Sequence, residues 1–510
     1  MKQLQNLHVL VLGLGDSGLA MARWCAAHGS VVSVWDTRAQ APQAAALAEH
    51  VPSAVVLSGP LTEASFEGIQ LVLKSPGLSP LDERIAAPLA ASGLPVQSEL
   101  DLFARALADL KEDRVGLHHY APKVLAITGT NGKTTTTSMA ALLIARTGKR
   151  VAMAGNIGPT MLQTLSDAIN AEALPDVWVL ELSSFQLDNV KSFEPDAAVV
   201  LNLTEDHLDW HGSMAAYVAA KARVFGESAV MVINRDDAAV ERLIPAPVPG
   251  KGRFAKPTSR RVVRFGTSAP THPGDFGLKV ENGIPWLVRA LEADDTIKRS
   301  RKAAELEELH IQRLMPADAL RVRGRHNAAN ALAALALATA IDCPLAPMLH
   351  GLRDYAGEAH RVQFIASVGG VDAFDDSKGT NVGATVAALN GLGDDRAPSK
   401  LVVILGGDGK GQDFAPLAAP VQQHVRAVAT IGRDAALIEA ALENCGVTMQ
   451  RFATLQAATR WAYTRAQSGD AVLLSPACAS LDMFRNYGHR AEVFVNEVHA
   501  VAAEQGEVIA

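Results

Sequence analysis

The sequence predicts an α/β fold of three successive domains. Three observations lead to this prediction. The chain of 510 residues is too long for one ordinary hydrophobic core. Short apolar segments alternate with helical segments along most of the chain, and glycine-rich turns follow several of the apolar segments. We expect the domains to cover residues 1–121, 122–357 and 358–510.

Composition excludes several classes of protein. Hydrophobic residues make up 48% of the chain, which is typical of globular proteins, and the formal net charge of −7 argues against a nucleic-acid partner. The 4 cysteines are scattered, which indicates reduced thiols. The N-terminal segment indicates a strand rather than a signal peptide, and the apolar stretch "AANALAALALATAI" is shorter than the roughly 20 residues that span a membrane. We expect a cytoplasmic monomer without membrane insertion.

The first domain begins with a strand, a glycine-rich turn and a helix. "HVLVLGLG" precedes the helical "SGLAMARWCAAHG" and the strand "VVSVWD", which is a βαβ start of a parallel sheet. Gly13, Gly15 and Gly18 match GxGxxG, and Asp36 ends the next strand, where a Rossmann-like dinucleotide site has its acidic residue. This motif alone leaves two readings open: an NAD or FAD site, or a tight turn with a purely structural purpose.

The second domain begins with the strand and loop "KVLAITGTNGKTTTTS". The first glycine of GxxxxGK[ST] is missing, because Ile127 stands in its place, and Gly129 and Gly132 frame a shorter loop. Backbone N–H groups of such a loop surround phosphate oxygens, Lys133 adds a positive charge, and the Thr134 hydroxyl can reach Mg²⁺. The loop predicts a P-loop ATPase-like domain with a parallel sheet, without specifying its reaction.

Two polar residues follow later strands of this domain. Glu181 ends the apolar segment "DVWVLE", and His207 follows the strand "DAAVVLNLT". Carboxyl ends of parallel strands converge on a ligand crevice, so both side chains are expected near the phosphates. Singly, each residue is more often a surface or capping residue. Their combination with the phosphate loop favours Mg²⁺ held between side chains and nucleotide oxygens.

The next segments complete the predicted organisation. The Asn-Gly pair in "LKVENGIPWLV" predicts a hairpin, and the charged segment from about 292 to 314 predicts an exposed helix or flexible insertion. "LVVILGG", "VRAVATIG" and "DAVLLSPA" predict strands of a third α/β unit.

Polar clusters recur at strand ends and helix starts. Lys221 by itself would be read as an exposed helical lysine, and an asparagine in "GRHNAAN" often serves only as a helix cap. The other clusters lie in "AHRVQF", "DDSKGTN", "GGDGKGQDF" and "LSPACASLD". Each is compatible with turn chemistry, but their joint occurrence favours a binding site.

In their order along the chain, these motifs resemble the ATP-dependent Mur ligases, from Gly13 to the C-terminal region. The pair "SKGTN" and "LSPACAS" is similar to the D-glutamate-adding branch of that family. The resemblance implies a Rossmann-like UDP-binding first domain, a central ATP-binding domain and a Rossmann-like C-terminal domain that binds the amino acid. It also implies an ATP-dependent ligase of peptidoglycan precursor synthesis that joins UDP-N-acetylmuramoyl-L-alanine to D-glutamate through an acyl phosphate.

The resemblance further implies a role for each residue at a matching position. Contacts to the UDP substrate would come from Gly15, Asp16, Ser17, Asp36, Thr37, Arg38, Gly77, Asn156 and His207. ATP would be bound by Gly129, Thr130, Asn131, Gly132, Lys133, Thr134, Thr135, Asn327, Asn330, Arg361 and Asp376. D-glutamate would be held by Lys378, Thr380, Lys410, Ser480, Leu481 and Tyr487. Catalytic roles would fall to Lys133, Glu181, His207, Lys221 and Arg361. Two Mg²⁺ ions would be held by Thr134, Glu181, His207 and Lys221, the last as a carbamate formed with CO₂.

Some features depart from the family pattern, and rival functions remain. Tyr487 stands where phenylalanine is expected, and the segments around 292–314 and 111–119 are longer than the pattern. One rival is another amide ligase on the same scaffold, such as the L-alanine-adding Mur enzyme or a folylpolyglutamate synthase; the C-terminal motif pair argues against it. Another is a nucleotide-binding dehydrogenase or a non-catalytic nucleotide-controlled binder, which the first glycine motif favours and the phosphate loop with Glu181 and His207 disfavours.

Overall fold

The computed structural model describes residues 2–112, 120–250, 257–292, 309–322 and 324–507. These residues form two compact units. Unit 1 comprises Met1–Leu203, His207–Met315 and Ala331–Leu352, and unit 2 comprises Thr204–Asp206, Pro316–Asn330 and Arg353–Ala510. Among the helices described, none is both long enough and apolar enough to cross a lipid bilayer.

The first part of unit 1 is a parallel sheet of five strands in the order β3-β2-β1-β4-β5. Its elements are β1 (His8–Leu12), α1 (Asp16–Ala27), β2 (Val31–Trp35), α2 (Ala44–His50), β3 (Val55–Leu57), β4 (Leu71–Lys74), α3 (Glu83–Ser92), β5 (Val96–Gln97) and α4 (Glu99–Glu112). Four of the five β1 residues are buried, because helices cover both faces of a parallel sheet.

The second part of unit 1 is a six-stranded sheet in the order β11-β10-β9-β6-β8-β7, and its neighbouring strands are parallel. Its elements are β6 (Lys123–Thr128), α5 (Lys133–Ala145), β7 (Val151–Gly155), α6 (Met161–Asn170), β8 (Val177–Glu181), α7 (Ser184–Leu187), β9 (Ala197–Val200), α8 (Leu208–His211), α9 (Met214–Ala222), β10 (Val230–Asn234), α10 (Ala238–Glu241) and β11 (Val262–Phe265). β6 lies between β9 and β8, so the phosphate loop leaves the middle of the sheet.

A three-stranded sheet and two helices follow: β12 (Phe276–Glu281), β13 (Ile284–Glu292), β14 (Leu309–Pro316), α11 (Arg325–Ala340) and α12 (Leu345–Asp354). The predicted Asn-Gly hairpin is confirmed: β12 and β13 are antiparallel, and Asn282 and Gly283 have φ of 53° and 78°. The predicted insertion lies partly outside the described residues, at 293–308, and so does most of the other long segment, at 113–119. Leu309 to Leu314 belong to β14, so the prediction of a helix or flexible segment is wrong there.

Unit 2 contains a six-stranded sheet in the order β15-β16-β20-β17-β18-β19. Its elements are β15 (Gln363–Val368), β16 (Val371–Asp375), α13 (Val382–Arg396), β17 (Leu401–Gly406), α14 (Ala418–His424), β18 (Val425–Ile431), α15 (Ala435–Leu442), β19 (Thr448–Arg451), α16 (Leu455–Arg465), β20 (Ala471–Leu474) and α17 (Tyr487–Glu504). Only β15 is antiparallel to its neighbour, through a hairpin with Gly369 and Gly370 at positive φ. The α/β prediction is confirmed, and this sheet brings the ends of β16, β20 and β17 side by side.

Candidate active site

The phosphate loop connects β6 to α5 in a conformation that requires glycine. Gly132 precedes the helix with φ of 82°, and Gly129 has φ of 150°, values that L side chains rarely adopt. At Gly129 a Cβ would also lie 2.9 Å from the Cβ of Leu201. The glycines of this loop therefore serve both its conformation and its close approach to the chain beyond β9.

Asn202, one residue past Leu201, fixes the loop from that neighbouring segment. The Thr130 N–H donates to the Asn202 carbonyl oxygen at 3.0 Å, and the Asn131 N–H donates to Asn202 Oδ1 at 2.8 Å. The Asn202 amide returns a hydrogen bond to the Asn131 carbonyl oxygen at 3.1 Å. Asn202 received no role from the sequence, although it lies in the segment "DAAVVLNLT" that precedes His207.

Two lysines meet at the loop. Lys133 Nζ donates to the carbonyl oxygens of Gly129 at 2.9 Å and Thr130 at 2.8 Å. Lys221 Nζ donates to the same Gly129 oxygen at 2.8 Å and lies 4.8 Å from the centre of the Tyr217 ring. The Lys221 side chain is only 2% exposed, so reading it as an exposed helical lysine is wrong.

Glu181 presents a carboxylate oxygen suited to a cation. It ends β8, is 2% exposed, and its Oε1 accepts a hydrogen bond from the Asn156 amide at 2.8 Å. Its Oε2 is buried without a hydrogen-bond partner among the described residues, which is unusual for a carboxylate unless an ion or ligand completes it. Within the part of the chain described, no three His, Cys, Asp or Glu side chains converge on a metal position. Mg²⁺ at Glu181 would therefore depend on nucleotide oxygens and water for its other ligands.

His207 lies at the start of α8 in a strained backbone conformation. Its φ is 53°, which is uncommon for residues other than glycine. The imidazole packs edge-on against the Phe185 ring at 4.6 Å, and Phe185 also contacts Trp210 and His211. Such backbone strain is often found at functional sites, and the aromatic neighbours hold the ring in place.

A cavity of about 510 Å³ in unit 1 is bordered by the N-terminal residues of α1 and by the segment that leads into α6. We call it the α1–α6 pocket. Four residues predicted to contact the UDP substrate line it: Asp16, Ser17, Gly77 and Asn156. The other five, Gly15, Asp36, Thr37, Arg38 and His207, are not among its lining residues.

Asp36 and Arg38 instead stabilise the glycine-rich turn before α1. The Asp36 carboxylate accepts hydrogen bonds from the Leu14 N–H at 2.6 Å and from Arg38 Nε at 2.8 Å. The Arg38 guanidinium lowers the pKa of Asp36 to about 2. Asp36 is therefore an anion at neutral pH and fixes the end of β2 next to the turn.

In unit 2, the residues predicted to bind D-glutamate come from neighbouring strand ends. The loops after β16, β17 and β20 carry them, and the first turn of α17 adds one more: Lys378, Thr380, Lys410, Ser480, Leu481 and Tyr487. Asp408 and Ala479 exchange backbone hydrogen bonds of 3.0 and 2.8 Å, which join the β17 and β20 loops. Lys378 Nζ lies 5.5 Å from the centre of the Tyr487 ring, so tyrosine supplies the aromatic face expected of phenylalanine there.

Asp376, in the β16 loop, is a buried carboxyl group. It is 6% exposed, and its Oδ2 accepts a hydrogen bond from the Ser475 hydroxyl at 2.6 Å. Burial raises the pKa of Asp376 to about 7, although Ser475 and the positive charge of Arg361 act in the opposite direction. Asp376 thus exchanges its proton near neutral pH.

A cavity of about 650 Å³ in unit 2 is lined by His326, Asn327 and Arg361, among others. Asn330 and Asp376, the other predicted ATP contacts of this unit, do not line it; the Asn330 amide donates to Asn327 Oδ1 at 3.3 Å. His326, Asn327 and Asn330 of "GRHNAAN" lie inside α11, which begins at Arg325. Neither asparagine is therefore at the helix cap position. Burial lowers the pKa of His326 to about 4, so its imidazole is neutral at pH 7.

Comparison with known proteins identifies the family. Residues 7–97 match the profile "Mur ligase MurD-like, N-terminal domain", residues 127–338 match "Mur ligase middle domain", and residues 360–478 match "Mur ligase, glutamate ligase domain". A protein of Albidiferax ferrireducens named UDP-N-acetylmuramoylalanine--D-glutamate ligase is 57% identical over 99% of this chain and 98% of its own length. The chain belongs to the Mur ligase family. A relative of the same name from Burkholderia mallei is also 57% identical, over 99% of both chains.

Solved structures of Mur ligases share the fold at low sequence identity. The UDP-N-acetylmuramate-alanine ligase of Thermotoga maritima has a TM-score of 0.55 at 19% identity and covers 97% of this chain and 100% of its own. The MurF ligase of the same organism, solved in complex with ADP, has a TM-score of 0.56 at 16% identity, with 98% and 96% covered. The predicted three-domain α/β architecture and the prediction of a ligase are confirmed by family membership.

Several residues that organise this Mur ligase site were missed by sequence reasoning. Arg490 of α17 is fully buried and donates to the carbonyl oxygens of Ser377 at 2.8 Å and Cys478 at 3.1 Å. His360 Nδ1 lies 2.6 Å from Asp375 Oδ2 at the end of β16. A single arginine three residues into a helix resembles any solvent-exposed arginine, so the sequence contained no signal for Arg490. His360, in contrast, directly precedes the predicted Arg361.

Proposed function

We propose that the protein is an ATP-dependent ligase that joins D-glutamate to UDP-N-acetylmuramoyl-L-alanine, forming a peptidoglycan precursor. The observation that supports this most strongly is the grouping of the "SKGTN", "GDGKG" and "LSPACAS" loops at adjacent strand ends in unit 2. These loops present Lys378 and Lys410 together with Thr380 and Ser480, which suit a small amino acid with two carboxylates. The two relatives cited above are named as D-glutamate ligases.

The α1–α6 pocket suits the nucleotide end of the substrate. Its border includes the first residues of α1, a helix of 12 residues, and Thr160, which precedes α6, a helix of 10 residues. Helix N-termini present free N–H groups and a partial positive charge, which bind phosphate oxygens. Ser17 and Asn156 add neutral hydrogen-bonding groups. In this proposal Asp36 and Arg38 shape the turn before α1 and do not line the diphosphate site.

In unit 1, the phosphate loop would bind the phosphates of ATP. The loop N–H groups and Lys133 suit the phosphates. In unit 2, the 650 Å³ cavity presents the neutral His326 imidazole, the Asn327 amide and the Arg361 guanidinium, and Asn327 and Arg361 stay predicted contacts of ATP. Asn330 would act through Asn327, to which it is hydrogen-bonded.

The residues around Glu181 fit Mg²⁺, because a buried carboxylate oxygen without a partner lies near the end of the sheet that carries the phosphate loop. Glu181, Thr134 and His207 would hold the metal, with Lys221 once it is carbamylated. When bound, Mg²⁺ neutralises charge on the phosphates. Carbamylation joins the neutral Lys221 amine to CO₂ with loss of a proton, and it replaces one of two adjacent cations with an anion.

The chemistry follows from the poor reactivity of a carboxylate. An oxygen of the terminal L-alanine carboxylate attacks the γ-phosphorus of ATP, and the bond to the bridging oxygen breaks to release ADP. The amine of D-glutamate attacks the carbonyl carbon of the resulting acyl phosphate, loses a proton and displaces phosphate. Lys133 stabilises charge on the transferring phosphoryl group, while Lys378 and Lys410 hold the amino acid by its carboxylates.

Phosphate release tests this proposal. The protein is incubated with ATP, Mg²⁺, UDP-N-acetylmuramoyl-L-alanine and one amino acid at a time: D-glutamate, L-glutamate, L-alanine or meso-diaminopimelate. We expect release that depends on D-glutamate and on the nucleotide substrate. Release that is indifferent to D-glutamate, or greatest with another amino acid, would contradict the assignment. The domain boundaries at 121 and 357, the monomeric state and the cytoplasmic location stay predictions.

A further inference from the structure

Glu99 is a buried acidic residue that the proposed chemistry does not use. It is the first residue of α4, the helix that follows the last strand of the first sheet, and it is 2% exposed. Buried carboxyl groups are costly unless other groups in the protein interact with them. The surroundings of Glu99 therefore indicate what it does.

On one side, Glu99 completes the N-terminus of α6. Its Oε1 accepts a hydrogen bond from the Leu162 N–H at 3.0 Å, and the Met161 N–H acts on the same carboxyl group. These are the first two residues of α6, whose N–H groups have no partner within the helix. Thr160, at the capping position, makes no side-chain capping hydrogen bond. Glu99, which belongs to α4, thus acts as the side-chain cap that α6 lacks.

On the other side, Glu99 contacts the N-terminus of α1. The Ser17 hydroxyl, on the second residue of α1, lies close enough to the Glu99 carboxyl group to lower its pKa. Both Ser17 and Thr160 line the α1–α6 pocket, whereas Glu99 does not. One side chain behind the pocket therefore touches both helices whose N-termini border it.

The remaining polar atoms favour a neutral Glu99. Its Oε2 is buried and makes no hydrogen bond of normal geometry among the described residues, and the neighbouring Thr160 hydroxyl acts on the same carboxyl group. Burial raises the pKa of Glu99, while the Leu162 N–H and the Ser17 hydroxyl oppose that rise. A protonated Oε2 supplies a donor, and a neutral group avoids placing a negative charge behind a pocket for a diphosphate. Glu99 also borders a separate cavity of about 50 Å³, which has room for a water molecule.

We propose that Glu99 is a positioning residue for the nucleotide substrate: it holds the N-termini of α1 and α6 at the separation that the diphosphate requires. This inference rests on the proposed function of the α1–α6 pocket. The carboxyl group itself does not touch the substrate. Its removal should therefore weaken nucleotide binding without changing the chemical step.

Steady-state kinetics of three variants test this role. In Glu99→Ala, the KM for UDP-N-acetylmuramoyl-L-alanine should rise at least about tenfold, equivalent to about 1.4 kcal/mol, with kcat and the KM for ATP within about threefold of wild type. Glu99→Gln keeps the size and a donor, so its KM for the nucleotide should stay near the wild-type value. Asp101→Asn is the matched control, because Asp101 is also buried in the first turn of α4 but hydrogen-bonds to Ser98 and Lys191, away from the pocket. Its KM should be unchanged.

Three results would overturn the inference: an unchanged nucleotide KM in Glu99→Ala, an equal rise in Asp101→Asn, or an equal rise in Glu99→Gln. If Glu99→Ala does not fold, Glu99→Asp takes its place, since the shorter side chain cannot span both helices and should raise KM in the same way. A wild-type protein that does not turn over the nucleotide substrate contradicts the proposed function. An active wild type with a normal Glu99→Ala variant contradicts only the role of Glu99.

Discussion

Two ammonium groups donate to one carbonyl oxygen beside the phosphate loop. Lys133 and Lys221 lie 2.9 and 2.8 Å from the Gly129 oxygen, and Lys221 is almost completely buried. Two positive charges that contact the same oxygen atom repel each other, most strongly where water is excluded. In the proposed function, conversion of Lys221 to a carbamate would remove this repulsion and would supply a ligand for Mg²⁺, which would be a physical reason to modify this lysine rather than an exposed one.

Substitution of Lys221 tests that account. We expect Lys221→Ala to lower kcat by about 10²- to 10³-fold, the usual range for the loss of one preorganised electrostatic group. Short carboxylic acids in the assay should restore part of the activity by occupying the place of the carbamate. The exposed Lys149→Ala is the control and should behave like wild type with or without the acids. Full activity in Lys221→Ala would exclude a catalytic role.

The titration of Asp376 predicts a pH dependence of stability. Its pKa is raised from 3.8 to about 7, so the folded protein binds a proton that the unfolded chain releases. Stability from this group is fully present below pH 3.8 and is lost as the pH rises through about 7. Relative to Asp376→Asn, the free energy of unfolding of the wild type should fall by on the order of 2–4 kcal/mol between about pH 4 and pH 8.

Urea unfolding at several pH values measures this difference. The exposed Asp413→Asn is the control, and its difference from wild type should stay constant across the same range. A constant difference between wild type and Asp376→Asn would show that Asp376 is ionised throughout.

At the scale of elements, the turn between β1 and α1 shows which glycines its geometry requires. A Cβ on Gly18 would lie 1.9 Å from the Gly13 carbonyl oxygen, whereas a Cβ on Gly15 would meet no atom within 4 Å. Both glycines belong to the same GxGxxG motif, so the sequence alone does not distinguish them. The last glycine is needed for helix–strand packing, and the middle one leaves space beside the helix N-terminus.

Alanine substitutions should separate these two roles. Gly18→Ala should destabilise the protein by roughly 1–3 kcal/mol or more, because the strand and helix must move apart. Gly15→Ala should leave the free energy of unfolding within about 0.5–1 kcal/mol of wild type, since its φ of −92° suits alanine. Chemical denaturation of both variants measures the difference. Equal losses of stability would contradict the geometry described for this turn.

α17 would support the proposed amino-acid site through Arg490. Its guanidinium bonds to carbonyl oxygens of Ser377, next to Lys378, and of Cys478, two residues before Ser480. We expect Arg490→Lys to raise the KM for D-glutamate by about tenfold or more, because one ammonium group does not reproduce two divergent hydrogen bonds to separate loops. The exposed Arg485→Lys is the control. A selective rise in the KM for ATP instead would contradict this role.

The elements also show what sequence could and could not predict. The β6 loop, the Asn282-Gly283 hairpin and the parallel strands were predictable because each depends on local glycine chemistry or hydrophobic pattern. β14 was missed because it is a partly exposed strand in which His310, Gln312 and Arg313 interrupt the apolar residues. The sequence did not indicate the roles of Arg490, Asn202 and Glu99, because these roles depend on partners that are distant along the chain. A single sequence does not reveal such contacts.

At the scale of the whole molecule, the fold and the substrate specificity depend on different parts of the chain. Mur ligases with 16% and 19% identity share this fold, although their names refer to different ligases. Fold similarity therefore indicates the type of scaffold, and the loops determine which amino acid is joined. In this chain the loops after β16, β17 and β20 carry the residues predicted to hold D-glutamate. Their residues should decide the preference for D-glutamate.

In the proposed reaction, the phosphoryl group of ATP is transferred to the carboxylate of the nucleotide substrate. UDP-N-acetylmuramoyl-L-alanine labelled with ¹⁸O at both carboxylate oxygens tests this directly, with mass spectrometry of both products after reaction with ATP and D-glutamate. An acyl phosphate transfers one labelled oxygen to inorganic phosphate and leaves the other in the new amide. Unlabelled phosphate, formed alongside the amide product, would contradict the account.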